Sequence, residues 1–415
     1  MKILINAKRH PKLGLVVLAF VAFVALGLPD GLLGVGWPSI RTGFSIPLDA
    51  IGMFLAAGVA GYMTSTFLSG FLLARVGVGR ILAASCFLTG LALIGYTVVP
   101  QWWMMAVLGV FAGSGAGAID AGLNTYVATH FGEGLMQWLH ASWGVGVTLG
   151  PIIMTLGLTA LDTWRFGYQV VGGFQLALAA CFVLTLAMWN RNNVPADDGA
   201  KKKLTDYRTT LGDTLRQPQV WLSVMLFFLY VGAESGLGTW TYSLLTESRC
   251  VDKTLAGFFA GSYWFTFTLG RIAAGMVASR VGVNGLVLAG LVGALLGTGL
   301  LVWNPSEMAS VFALAGIGLS IAPIFPAMMS GTSARVGDNH AANTIGMQMA
   351  ATGFGAAIIP SLMGVLARRI SLEIIPVCLL VVYAVLLGLY VLAVRSRKMQ
   401  AAAISAQSKH VVRQQ

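Results

Sequence analysis

Twelve stretches of about 20 predominantly apolar residues follow one another along this 415-residue chain, each long enough for a helix to cross the hydrocarbon core of a bilayer. No other feature limits the fold so strongly. Backbone N–H and C=O groups cannot stay unpaired in lipid, so such stretches must close on themselves as helices. The composition agrees, with 57% of residues hydrophobic, 10% charged and a mean hydropathy of +0.79, beyond what a soluble core of this length requires. Spans are predicted at 14–36, 51–73, 81–99, 103–128, 138–160, 169–189, 219–245, 255–279, 283–302, 308–330, 342–366 and 372–394.

The fold class expected is therefore an all-α membrane protein with twelve transmembrane helices in two six-helix bundles. Residues 1–190 form the first bundle, 191–218 a cytoplasmic linker rich in charge and turn formers, 219–395 the second bundle, and 396–415 a cytoplasmic tail. The start is basic like a signal peptide, but the apolar run from Leu13 to Val35 is too long and lacks a cleavage site, so it reads as a retained first helix.

A net charge of +11 in a soluble protein would suggest nucleic acid, yet here Lys and Arg fall in alternate loops. Nineteen lie on one side, in the N-terminal segment, the linker, the tail and the loops holding Arg75, Arg80, Arg280 and Arg335; six lie on the other. Both termini and the linker are expected in the cytoplasm, with the chain in the cell inner membrane and no nucleic-acid partner. Cys86, Cys181, Cys250 and Cys378 have no paired or metal-type spacing, so neither disulfides nor a metal site is expected.

The two halves resemble each other at an offset of about 205 residues, the mark of a parallel repeat. Ala74-Arg75-Val76-Gly77-Val78-Gly79 returns as Ser279-Arg280-Val281-Gly282-Val283-Asn284, and Asp30-Gly31-Leu32-Leu33-Gly34 falls opposite Glu234-Ser235-Gly236-Leu237-Gly238.

Asp30, Asp120 and Glu234 are the acids that lie inside apolar spans, where a charge costs at least about 2.5 kcal/mol on insertion scales. Proton carriage is the functional reading of each, and a hydrogen bond between helices the structural alternative. Asp120 and Asn124 share a helix face at i, i+4. The small-residue run Gly113–Ala118 above them permits either close packing or a cavity. His140 and Trp143 in the fifth span, and Tyr230, Glu234, Trp240 and Gln348 in the second half, complete the substrate-binding candidates, although span aromatics more often form belts or packing. Pro323, Pro326 and Pro360 are expected to kink the tenth and eleventh spans. Arg271 reads as a gating or structural charge that either snorkels or pairs with an acid. No Walker loop or hydrolase elbow is present, so the chain does not read as an enzyme, and gradient coupling is the energy source expected.

These residues together resemble the major facilitator superfamily, and within it the fucose permease-like branch of sugar–proton symporters. Gly70-Phe71-Leu72-Leu73-Ala74-Arg75-Val76-Gly77-Val78-Gly79-Arg80 is similar to the superfamily's loop between its second and third helices, with Ala74 where an Asp is usual. The resemblance implies gating or structural roles for Arg75, Gly77 and Arg80. Asp30, Gly117–Asn124, Leu139–Gly146 and Tyr230–Glu234 resemble that branch's first, fourth, fifth and seventh helices, implying Asp120 as proton-coupling acid and Asp30 as a substrate or coupling acid. Gly146-Val147-Thr148-Leu149-Gly150-Pro151 instead has the form associated with drug–proton antiporters, which keeps efflux as the alternative. The expectation is an alternating-access carrier of a small hydroxylated solute and protons, without cofactor and monomeric, with the substrate held between its halves.

Overall fold

The computed structural model describes residues 13–130, 133–189 and 209–414. The N-terminal basic segment and most of the linker lie outside them, as do the side chains of Ala74 and of residues 396–414. Among the described residues the chain is helical and has no strand. The long helices are α1 (Leu13–Gly43), α2 (Ile51–Val76), α3 (Val78–Tyr96), α4 (Trp102–His130), α5 (Glu133–Ala160), α6 (Arg165–Leu184), α7 (Pro218–Ser243), α8 (Lys253–Trp303), α9 (Glu307–Ile321), α10 (Asp338–Arg369) and α11 (Ile374–Gln414). Eleven described helices or helical segments are long and apolar enough to cross a bilayer. The leg of α8 before Gly282, the eighth predicted span, is also membrane-length at about 1.5 Å per residue.

The chain divides into two compact units, Met1–Ala196 with Asp252–Phe265, and Asp197–Val251 with Thr266–Gln415. In the first unit α1 packs most extensively on α5, α2 on α4, and α3 on both α4 and α6. Fully apolar helices pack without a hydrophobic drive in lipid, so close approach of small residues supplies the contact. A Cβ on Gly150 would stand 2.6 Å from the Leu28 carbonyl, and one on Gly31 2.6 Å from the Pro151 ring. The Gly146–Pro151 motif is thus the α5 side of a seam with α1. A second seam joins Gly113 and Gly117 of α4 to the backbone of Gly58 and Tyr62 in α2. Gly257 at the start of α8 meets Thr155 of α5.

In the second unit α7 packs on α10 and α11, with Gly232 and Gly236 set against Ile359 and Met363. The pairing α7·α10 repeats α1·α5 at the offset of the sequence repeat. Turn backbones repeat as well: Gly77 has φ 84° and ψ 152°, and Gly282 has φ 72° and ψ 165°. Side chains at these φ values are strained, which explains why both copies of the loop keep glycine. Pro323 interrupts the tenth span between Ile321 and Ile324, whereas α10 and α7 run unbroken through Pro360 and the α7 glycines.

Candidate functional site

Four helices of the first unit converge on a polar constellation. The seam between α2 and α4 carries Tyr62 to Asp120, and the Tyr62 hydroxyl donates to Asp120 Oδ2 at 2.5 Å. Asn124 Nδ2 donates to Asp120 Oδ1 at 2.8 Å, a contact that their shared face at i, i+4 permits. Each carboxylate oxygen of Asp120 therefore receives a donor, which offsets the desolvation of a charge placed among helices. The seam between α1 and α5 does the same for a second pair. Because Gly27 abuts the Trp143 carbonyl, the Trp143 indole reaches across, and its Nε1 donates to Asp30 Oδ2 at 3.2 Å.

His140 stands edge-on to Phe23 at 5.6 Å and within electrostatic reach of Asp120. Asp30 lies within the same reach of Tyr62. The Trp143 ring meets the Trp264 ring at 5.9 Å, perpendicular to it. Asp30 and His140 are exposed, Asp120, Asn124 and Trp143 half-buried. This combination of acids, an amide, an imidazole and an indole edge offers directional donors and acceptors for a hydroxylated ligand beside groups able to take up a proton.

In the second unit Glu234 is buried at 8% exposure and lies within electrostatic reach of Arg271. Arg271 is thus placed beside an acid, and its guanidinium lies 4.4 Å over the Phe267 ring. Tyr230 donates to the Ile321 carbonyl at 3.0 Å, and the buried Tyr383 hydroxyl comes from α11 toward Glu234. Trp240 is fully buried and its Nε1 donates to the Pro360 carbonyl at 2.9 Å. Gln348 is also fully buried, donating to Ser223 Oγ at 2.7 Å and accepting from Thr332 at 3.2 Å. Arg335 completes that network through Ser223 at 3.2 Å. Arg75 caps the Phe71 ring at 4.1 Å, and Arg80 is exposed on α3.

The structure brings together Asp30, Asp120, Asn124, His140 and Trp143, groups Glu234 with Tyr230 and Arg271, and sets Trp240 and Gln348 apart in other contacts. Tyr62 is the residue that sequence reasoning missed. Its only advance signal is its place about one turn of helix from Gly58 along a strip of small residues facing the Gly113–Ala118 run.

Membrane-length helices in two repeated sets, with acids and donors held between helices of the first, define a polytopic membrane transport protein. The chain belongs to the Major Facilitator Superfamily, whose family model matches residues 17–249, more than half of its length. It is similar to "Bypass of stop codon protein 6" of Saccharomyces cerevisiae, with 23% identity covering 90% of this chain and 81% of that protein. The glucose/mannose transporter GlcP of Bacillus subtilis is 22% identical over 85% of this chain and 87% of its own. Among solved structures, a bacterial homologue of the human lysosomal transporter Spinster superposes with a TM-score of 0.75 at 14% identity, covering 94% of this chain and 98% of that one. That likeness is one of fold.

Proposed function

We propose that this transporter is a proton-coupled symporter of a sugar or similar small hydroxylated solute, working by alternating access in the cytoplasmic membrane with both termini inside. The observation that carries the reading is the joint placement of Asp30 and Asp120 with donors of two kinds, Trp143 and Asn124, on converging helices of one unit. Asp120 is the proton carrier in this reading, and Asp30 with Trp143 and His140 the substrate-facing set. Similarity to a glucose/mannose transporter supports the substrate class. The glycines of Gly146–Pro151 pack α5 against α1, a contact that favours neither direction of transport.

Protonation removes the charge on Asp120 that otherwise penalises enclosing the site away from water. Substrate and proton then move together because only the neutral, occupied carrier closes readily. The test is glucose accumulation in proteoliposomes under an imposed inward proton gradient. Asp120→Asn is expected to retain glucose exchange between equal concentrations on both sides while losing uphill accumulation. Accumulation by that variant equal to the parent protein would remove Asp120 from the coupling role.

A further inference from the structure

Pro29 stands inside α1, one residue before Asp30, and the helix runs on through it. Proline has no N–H, so it cannot make the main-chain bond to the carbonyl four residues back, which is that of Ala25. Ala25 is fully buried, where an unmet carbonyl is costly. The missing donor comes from another helix. Gln175 of α6, itself fully buried, donates from Nε2 to the Ala25 carbonyl at 3.0 Å, across 150 residues of sequence. The orientation of its amide follows from the partner, because a carbonyl oxygen can accept from the NH2 end only. Gln175 Oε1 has no partner among the described residues. A leucine would fill the same space without leaving a buried oxygen unpaired, so the bond to Ala25 is what the amide contributes.

On the facing helix, Pro151 in the same way leaves the Val147 carbonyl of α5 without its main-chain donor. A Cβ on Gly31 would stand 2.5 Å from that oxygen, so the α1 backbone lies directly against it. Asp30 is thus carried between two anchored points, Ala25 held from α6 and Gly31 held against α5, and Trp143 Nε1 of α5 donates to its carboxylate at 3.2 Å. A turn opened by proline is where a membrane helix bends most readily, unless a neighbouring helix satisfies the freed group.

We infer that Gln175 is a positioning residue for Asp30: by supplying the donor that Pro29 removes, it fixes the turn of α1 that aims the Asp30 carboxylate at Trp143. It acts through the α1 backbone, since its bond goes to Ala25 and not to the acid. The consequence for transport rests on Asp30 being the substrate-facing acid; the consequence for the Trp143–Asp30 bond does not.

Glucose uptake separates the role from the reading it rests on. In Gln175→Leu the KM for glucose is expected to rise about threefold to tenfold with kcat changed less, and to return toward the parent value when Pro29→Ala is added. An unchanged KM beside a broken Trp143–Asp30 bond would keep Gln175 as the positioning residue and remove Asp30 from the substrate-facing set.

The bond itself is read by NMR, with no substrate present. In protein carrying isotope-labelled tryptophan nitrogens, the indole resonance that vanishes in Trp143→Phe reports the bond, and Asp30→Ala marks its position without an acceptor. Gln175→Leu is expected to move that resonance a large part of the way toward the Asp30→Ala position. Pro29→Ala gives α1 back its own N–H to Ala25, so in that background Gln175→Leu is expected to have little effect, a non-additivity that a side chain serving only to fill space would not produce. A resonance that stays in place in Gln175→Leu, or moves equally in both backgrounds, overturns the inference. Should Gln175→Leu fail to fold, adding Pro29→Ala is expected to restore folding and the parent resonance, and failure to do so overturns it as well.

Discussion

Arg249 clasps Glu373 with two donors, Nε to Oε1 at 3.0 Å and Nη2 to Oε2 at 2.8 Å, across 124 residues of sequence. The same guanidinium donates to Ser310 Oγ and to the Leu301 carbonyl, both at 2.8 Å. It thereby ties the π-helical turn that follows α7 to the end of α8, the start of α9 and the connection into α11. The arginine side chain is 5% exposed and the glutamate 43%. A cavity of about 290 Å³ opens beside them, lined also by Asn304, Ser306 and Glu307. Planar, two-point pairing of this kind fixes geometry as well as charge.

This clasp gives the second unit a pH-dependent stability. The Arg249 hydrogen bond holds the Glu373 carboxyl below its ordinary value of 4.5. A depressed carboxyl contributes stability that is complete above the unfolded value and lost as pH falls through the folded one. The thermal midpoint in detergent is therefore expected to fall as the pH drops below 4.5, and Glu373→Gln to show a shallower fall over that window. At neutral pH the variant is expected to be less stable by about 1 kcal/mol, since the glutamate is partly open to solvent.

Trp143→Phe tests the substrate-facing pair. The ring that meets Trp264 is kept, while the donor to Asp30 is removed. Hydrogen bonds to charged groups contribute about 1.5–3 kcal/mol, so the KM for glucose is expected to rise about tenfold with the pH profile of transport little changed. An unchanged KM would place Trp143 outside the substrate contacts.

The α1–α5 seam tests the packing argument. A Cβ at position 150 would lie 2.7 Å from the Gly31 Cα, whereas one at Gly173 meets nothing within 4 Å. Gly150→Val is expected to destabilise the protein by about 1–3 kcal/mol or more and to separate Trp143 from Asp30. Gly173→Ala is expected to leave the melting temperature unchanged. Thermal unfolding of the two variants side by side decides the point.

Much of this architecture was legible because lipid allows few solutions. Span lengths, the interruption at Pro323 and the repeat that places Gly77 and Gly282 in the same backbone conformation all follow from local chemistry. The shared face of Asp120 and Asn124 was legible for the same reason, since both residues lie on one helix, although the bond between them was not read in advance. What escaped were relations between helices. Helices apolar on every side carry no period that marks an inner face, so nothing in α2 singled out Tyr62, and nothing in α7 or α10 told Trp240 and Gln348 apart from cavity-lining groups. Arg249 and Glu373 looked like ordinary loop charges because their partnership depends on how α7 ends beside the α10–α11 connection.

The central claim is that a hydroxylated solute and a proton enter together, and proteoliposomes with a pH dye sealed inside test it most directly. Glucose added outside, with the membrane potential clamped and no sodium present, is expected to acidify the interior of vesicles carrying the parent protein and to leave those carrying Asp120→Asn unchanged. Entry of glucose without acidification, or acidification that persists in Asp120→Asn, would contradict the account.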